Sequence, residues 1–188
     1  MLRIIAGLVI FLSGLLGTSA WATTLARMDL DDLAGHSHAI AHAKIVAKRT
    51  QWNAGRTLIP TVYTVEPLEY LKGSLGPVFE IHEPGGELDG LSLTVPGAPN
   101  FTVGDETVLF LWTSPQGQHQ VIGFQQGAFG VRTDAQSGQK VVDRAVRIGS
   151  VQDAQAAASA SLTSRSLSQL KQQIRSSAAK MRAADAKQ

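Results

Sequence analysis

From Ala39 to Lys48 the chain repeats with a period of two. Ala39, Ala41, Ala43, Ile45 and Ala47 fall on one face, and Ile40, His42, Lys44, Val46 and Lys48 on the other. This pattern sets a strand that turns His38 and His42 outward to solvent, and its small-residue face lets neighbouring bulky side chains, Phe110 among them, approach closely. Further strand-like runs follow at short spacing: residues 57–73 ("TLIPTVYTVEPLEYLKG"), 77–86 ("PVFEIHEPGG"), 90–99 ("GLSLTVPGAP"), 105–114 ("DETVLFLWTS"), 119–127, 128–134 and 140–148. Turn sequences such as "NAGR", "SPQGQ" and "DAQSG" separate them, and the chain carries 18 Gly and 7 Pro. Seven or eight short strands at this spacing predict a barrel or sandwich. The run from Asp105 to Ser114 is apolar almost throughout, which predicts a central strand. Pro60 and Pro67 lie inside the second run and demand edge positions or bulges.

Other segments flank the strands. Met28 to Gly35 ("MDLDDLAG") predicts a short helix, with Asp29, Asp31 and Asp32 at its positive end and Gly35 as its stop. Residues 150–163 are an Ala/Ser/Gln-rich linker with little to bury. Within residues 164–186, Leu167, Leu170, Ile174, Ala178 and Met181 recur at steps of three and four. They predict an amphipathic helix capped by Ser164 or Ser166. Charge divides along the same boundary. Residues 23–143 hold 8 Lys and Arg against 13 Asp and Glu, a net of −5, whereas residues 144–188 hold 8 against 2, a net of +6. An acidic body thus carries a basic tail, suited to acidic surfaces that include the body itself.

The N-terminus reads as an export signal. Arg3 is followed by an uncharged apolar run from Ile4 to Ala20, and Ala20-Trp21-Ala22 fits a cleavage site, so residues 1–22 form a signal peptide cut after Ala22 or Ala20. The mature domain is then residues 23–149, periplasmic or extracellular, without a stable membrane span. The chain has 0 Cys, which excludes disulfides, thiol nucleophiles and Cys-ligated zinc. No motif asks for a cofactor. Nucleic-acid binding needs a basic, aromatic-rich groove, but the body is acidic and aromatics are only 6% of the chain.

The segments "HAIAHAKIVAKRTQW", "TVYTVEPLEYLKG", "IHEPGGELDGLSLTVPGAPNFTVGDETVLFLW" and "VIGFQQGAFGVRTD" together resemble a family of secreted, uncharacterised bacterial proteins. The shared pattern is a leader, a strand ending in Leu-Lys-Gly, a Pro-Gly-Gly hinge and a Gly-Asp-Glu step into "VLFL". More distantly, the paired strands around Lys72-Gly73 resemble netrin-like, metalloproteinase-inhibitor-type OB barrels. That resemblance implies a small closed or partly open OB-like barrel, and with the short N-terminal and amphipathic C-terminal helices read above the expected fold is mainly β. The inhibitors' zinc-chelating cysteine has no counterpart here, so only the fold carries over.

Candidate chemistry is sparse. In "HSHAIAH" (residues 36–42) three histidines crowd together, but on a strand His38 and His42 are roughly 13 Å apart, too far to share an ion. His36 and His38 remain weak metal candidates. "GHSHA" has helix and strand in the wrong order for a nucleophile elbow at Ser37, and Pro84-Gly85-Gly86 forbids the helix that a His-Glu-x-x-His zinc motif needs at His82. Glu83, Glu87 and Asp89 surround a hinge in which Gly85 or Gly86 needs positive φ, without calcium-loop spacing. The expected contact surface is a rim made by Pro84, Gly85, Gly86 and Glu87 together with Pro96, Gly97, Pro99 and Phe101. Phe101 also plugs the barrel end, and Trp52 and Trp112 add anchors where exposed. The expected function is an exported, non-enzymatic binding or accessory domain engaging another exported protein, for example a protease. One alternative is a metal-dependent or hydrolytic enzyme using His36, His38, His82 or His119 with Glu83 or Asp89. Another is an envelope-associated structural protein whose basic tail meets anionic lipid or polymer.

Overall fold

A computed structural model describes residues 26–144 and 165–185. The signal-peptide reading, the 150–163 linker and Ser164 lie outside the described residues. Helix α1 (Leu30–His36) leads into β1 (Ala39–Thr50), β2 (Pro60–Lys72) and β3 (Phe79–Pro84). A small hairpin, β4 (Gly86–Leu88) and β5 (Leu91–Leu93), is followed by β6 (Glu106–Thr113) and β7 (His119–Val121). A 3-10 turn (Phe124–Gly127), β8 (Ala128–Thr133), β9 (Lys140–Arg144), β10 (Arg165–Ser166) and helix α2 (Leu167–Asp185) complete the order.

Five strands close on themselves in the order β1-β2-β3-β7-β6, with β6 returning to β1. All of these pairings are antiparallel except β3 with β7, which run parallel and meet in register only at Ile81 and His119. The barrel is OB-like, as expected. Strand β6 is central: one edge pairs with β1, and the other is shared between β8 along Glu106–Leu109 and β7 along Leu111–Thr113. Strands β8, β9 and β10 continue the sheet beyond the barrel. Pro67 sits opposite Ala43, beside a break in register between His42 and Ala43, the irregularity that a proline without an N–H requires.

Two cores result. Inside the barrel, Ala41, Ala43 and Ile45 leave room for Tyr63, Phe79, Ile81, Phe101, Leu109 and Leu111. Outside it, Ile40, Leu71, Val108, Phe110 and Val142 meet Leu33 and Ala34 of α1 and Leu167, Leu170 and Ile174 of α2. The start of β1 is therefore buried on both faces, where simple alternation predicts one wet face. Phe110 belongs to the outer core, opposite Ile40, and does not fill the space beside the alanines as expected. His42 is also corrected: it does not face solvent but is 5% exposed. Its Nε2 lies 2.6 Å from Glu106 Oε1, which Lys140 also approaches at 2.6 Å. Burial holds His42 below its usual range despite that carboxylate. Burial pushes Glu106 up, but the hydrogen bonds from Lys140 and His42 prevail and lower it.

The helices are tied down by specific groups. Asp29 caps α1: its Oδ1 accepts from the Asp32 N–H at 2.8 Å, and Asp32 Oδ2 accepts from the Asp29 N–H at 3.2 Å. The helix runs through Gly35 to His36 and is capped by Ser37, so Gly35 is not its stop. A side chain at Gly35 would stand 3.0 Å from Met181 Cε of α2; this position serves close helix packing. The Leu-Lys-Gly motif gains a physical reading. Leu71 enters the outer core, and Lys72 Nζ donates to the Ala34 carbonyl at the end of α1 at 2.7 Å. Gly73, at φ 60°, admits the His38 carbonyl so closely that a Cβ would stand 2.3 Å from it. Helix α2 presents the expected stripe, with Ser166 Oγ accepting the Gln169 N–H at 3.2 Å. Its Lys171 Nζ donates to Glu69 Oε2 of β2 at 2.6 Å and Arg175 pairs with Oε1 of the same carboxylate, so part of the basic tail rests on the acidic body.

Because Ile174 is fully buried in the outer core, Ile174→Ala is expected to cost about 2–5 kcal/mol in denaturant unfolding. It is also expected to raise amide hydrogen exchange in α2 before that of the barrel strands.

Candidate functional site

Side chains at positions 79, 81 and 83 of β3 alternate into the barrel. Phe79 and Ile81 join its core, and Glu83 follows them at the end of the strand. A cleft of about 710 Å³ lies at this end of β3, lined in part by Glu83 and Pro84. Trp112 and Thr113 from β6, Val121 from β7, Ile122 and Phe124 beyond it, and Met28 ahead of α1 form most of its walls. The cleft thus sets mostly apolar groups, with His36, His38, Thr113 and Gln120, around one carboxyl.

Glu83 is 2% exposed. Its Oε1 accepts the Val121 N–H at 2.7 Å, where the parallel β3–β7 pairing has run out. The side chain therefore closes the seam that the backbones leave open. Among the described residues no hydrogen bond reaches its second oxygen, and Glu83 lines the cleft. Burial pushes the carboxyl up to about 8, against a smaller downward pull from the Val121 N–H. Burial thus favours the neutral acid form of Glu83 over the carboxylate. Since the Val121 N–H occupies Oε1, the acid proton sits on Oε2.

The rest of the cleft is ordered by hydrogen bonds. His38 Nδ1 accepts the Thr113 N–H at 2.8 Å, so its neutral ring carries the proton on Nε2. His36 Nδ1 donates to the Asp32 carbonyl at 2.8 Å. His119 Nδ1 lies 2.9 Å from Thr113 Oγ1, and its ring stands edge-on to Phe79. Burial holds His119 low, with the fields of His82 and His38 acting in the same direction. Gln126 ties the incoming chain to the 3-10 turn, accepting from the Met28 N–H at 2.9 Å and donating to the Ala26 carbonyl at 3.0 Å. Phe124 sits at φ 56°, a left-handed conformation that costs an aromatic residue about 1–2 kcal/mol.

The structure distributes the expected site residues unevenly. His36, His38 and Glu83 line the same cleft, but both histidines spend one ring nitrogen on the backbone. Glu87 is exposed on the β4–β5 hairpin, and Asp89 accepts the Trp52 indole N–H at 3.2 Å. These two therefore do not converge with Glu83. Among the described residues, no cluster of three or more His, Asp or Glu is placed to hold an ion. Ser37 Oγ donates to the Leu33 carbonyl at 2.7 Å and is buried. The Thr113–His119 contact comes nearest to a nucleophile and base, but no carboxylate orients that imidazole among the described residues.

Of the expected rim, Pro84 lines the cleft, and Gly85 and Gly86 take φ 102° and 154° as a hinge requires. The Gly97 carbonyl accepts the Gln125 N–H at 2.9 Å, so the Pro96-Gly97 turn supports the segment that carries Phe124. Pro99 and Phe101 are buried, with Phe101 4% exposed and edge-on to Tyr63 at 5.1 Å. Phe101 plugs the barrel as expected and offers no contact surface. Trp52 is half-buried, and Trp112 is half-buried in the cleft wall. Sequence reasoning passed over Met28, Ile122 and Phe124. The available signal was the parity of Glu83 with Phe79 and Ile81, which aims a carboxylate into an apolar barrel.

Comparison with protein-family models, curated proteins and solved structures returns no match.

The Glu83 shift makes a stability prediction. Its folded value lies above its unfolded one, so the unfolded chain binds fewer protons between the two. The group's contribution is therefore lost as pH rises from about 4.5 toward about 8. Glu83→Gln keeps an acceptor for the Val121 N–H and cannot ionise. Chemical denaturation is expected to show the variant gaining on the wild type by about 1.4 kcal/mol per pH unit across that window, then levelling off.

Proposed function

We propose that this chain is an exported, non-enzymatic binding domain that holds an apolar segment of another exported protein, a protease being one such partner, in the cleft at the end of β3. The observation that carries the reading is the cleft itself: an opening of about 710 Å³ with mostly apolar walls, sized for a bound group. The strained aromatic at its edge adds support. Phe124 keeps a costly backbone conformation that a glycine or asparagine would adopt freely, a pattern that marks ligand-contacting positions. The leader sequence supports export, and the absence of an oriented nucleophile–base pair among the described residues supports binding over hydrolysis.

Phe124→Gly separates binding from folding. Relief of the left-handed strain offsets the loss of a half-buried ring, so stability is expected to stay within about 1–2 kcal/mol of wild type. Titration of an end-blocked apolar pentapeptide, followed by Trp112 fluorescence and amide NMR shifts, is expected to show saturable binding to the wild type. At least tenfold weaker binding is expected for the variant. Shifts confined to surfaces away from the cleft would refute the assignment.

A further inference from the structure

The cleft has a chemical polarity that narrows what it accepts. Its walls are mostly apolar, and no Lys or Arg lines it. Of the polar groups that line it, Glu83 and His38 offer donors, Thr113 and Gln120 can donate or accept, and His36, whose Nδ1 donates to the Asp32 carbonyl, leaves Nε2 as an acceptor at the edge. Glu83 Oε2 carries the acid proton because Oε1 is engaged by Val121, and His38 carries its ring proton on Nε2 because Nδ1 is engaged by Thr113. A basic side chain would have to ionise Glu83 on entering and would face two histidines at the rim. A backbone carbonyl oxygen meets a donor with no change of charge. A neutral acid offering its proton from an apolar pocket is an established way of binding an acceptor oxygen.

We propose that Glu83, through Oε2–H, donates to a backbone carbonyl oxygen of an extended, uncharged apolar peptide segment seated in the cleft, with His38 Nε2–H as a second donor. This rests on the cleft being the binding site, and it names the ligand's chemistry. The titratable groups around Glu83 are Tyr63 on β2, His119 on β7, His38 ahead of β1 and His36 on α1, with His82 beside it on β3. Burial raises Tyr63 and depresses His82 and His119. The depression of His82 and His119 disfavours the cationic rings that would hold Glu83 ionised.

The test compares two end-blocked pentapeptides, acetyl-Gly-Leu-Val-Leu-Gly-amide and acetyl-Gly-Leu-Lys-Leu-Gly-amide, on the full-length chain by calorimetry and NMR between pH 6 and pH 9.5. The uncharged peptide is expected to bind the wild type at pH 7 and about tenfold more weakly at pH 9, because the competent acid form falls by that factor across a value near 8. Glu83→Gln, whose amide can donate to the same carbonyl, is expected to bind with no pH dependence. Glu83→Met is expected to bind at least tenfold more weakly at pH 7, with its fold checked by the NMR spectrum.

Tighter binding of the lysine peptide, rising with pH and accompanied by proton release, would overturn the donor assignment and leave the cleft as the site. Failure of both peptides to shift cleft resonances would overturn the site as well. A concentration-dependent dimer whose interface is the cleft would overturn the peptide occupant in favour of a second copy of the chain.

Discussion

Strands β1 and β6 each feed two cores, and the rest of the molecule hangs on that sharing. Ala41, Ala43, Leu109 and Leu111 point into the barrel, while Ile40, Val108 and Phe110 point out into the layer formed with α1 and α2. Because the two strands pair directly, one stretch of backbone closes the barrel and also carries the floor of the helical layer. The interior side of β1 has to be small for this to work. Alanines there leave volume for Tyr63, Phe79 and Phe101, and interiors tolerate neither voids nor excess bulk.

The price of closing five strands is a poorly matched seam. Strands β3 and β7 meet in parallel at a single registered pair, Ile81 and His119, and beyond it the Val121 N–H would be left unsatisfied. Glu83 supplies the missing acceptor from its side chain. Closing the seam in this way buries a carboxyl, and burial keeps its proton on. The same residue therefore completes the fold and places a hydrogen-bond donor in a mostly apolar opening. Strain at Phe124 and the Gln126 clamp on Ala26 and Met28 belong to this end of the barrel too, so the unusual features gather around one cleft.

Much of the architecture was legible residue by residue. Alternation marked β1, the apolar run marked β6 as central, Pro67 marked a register break, and steps of three and four marked α2 and its buried face. The misreadings share a cause. Local alternation turns His42 to solvent and Phe110 into the barrel because it does not say whether a strand's second face is covered, and here α2, remote in sequence from both, covers it. Gly35 resembled a helix stop because its reason for being small, Met181 of α2, is equally remote. Of the expected rim residues, Phe101 was legible as a plug, whereas the burial of Pro99 was not. Pro99 and Phe101 turn inward, and Met28, Ile122 and Phe124 reach the cleft only through long-range packing.

By itself the sequence determined the strands and helices, the mainly β class and the division between an acidic body and a basic tail. These follow from the periodicity, turn chemistry and charge of neighbouring residues. Only the tertiary structure decided that "HSHAIAH" is split between two fates: His36 and His38 stand at the cleft, and His42 lies buried beside Glu106. It also decided that a glutamate within "IHEPGG", not the histidine cluster, is the chemically distinctive group. Protonation state depends on burial and on hydrogen-bond partners, and those are set by residues distant in sequence that the barrel brings together.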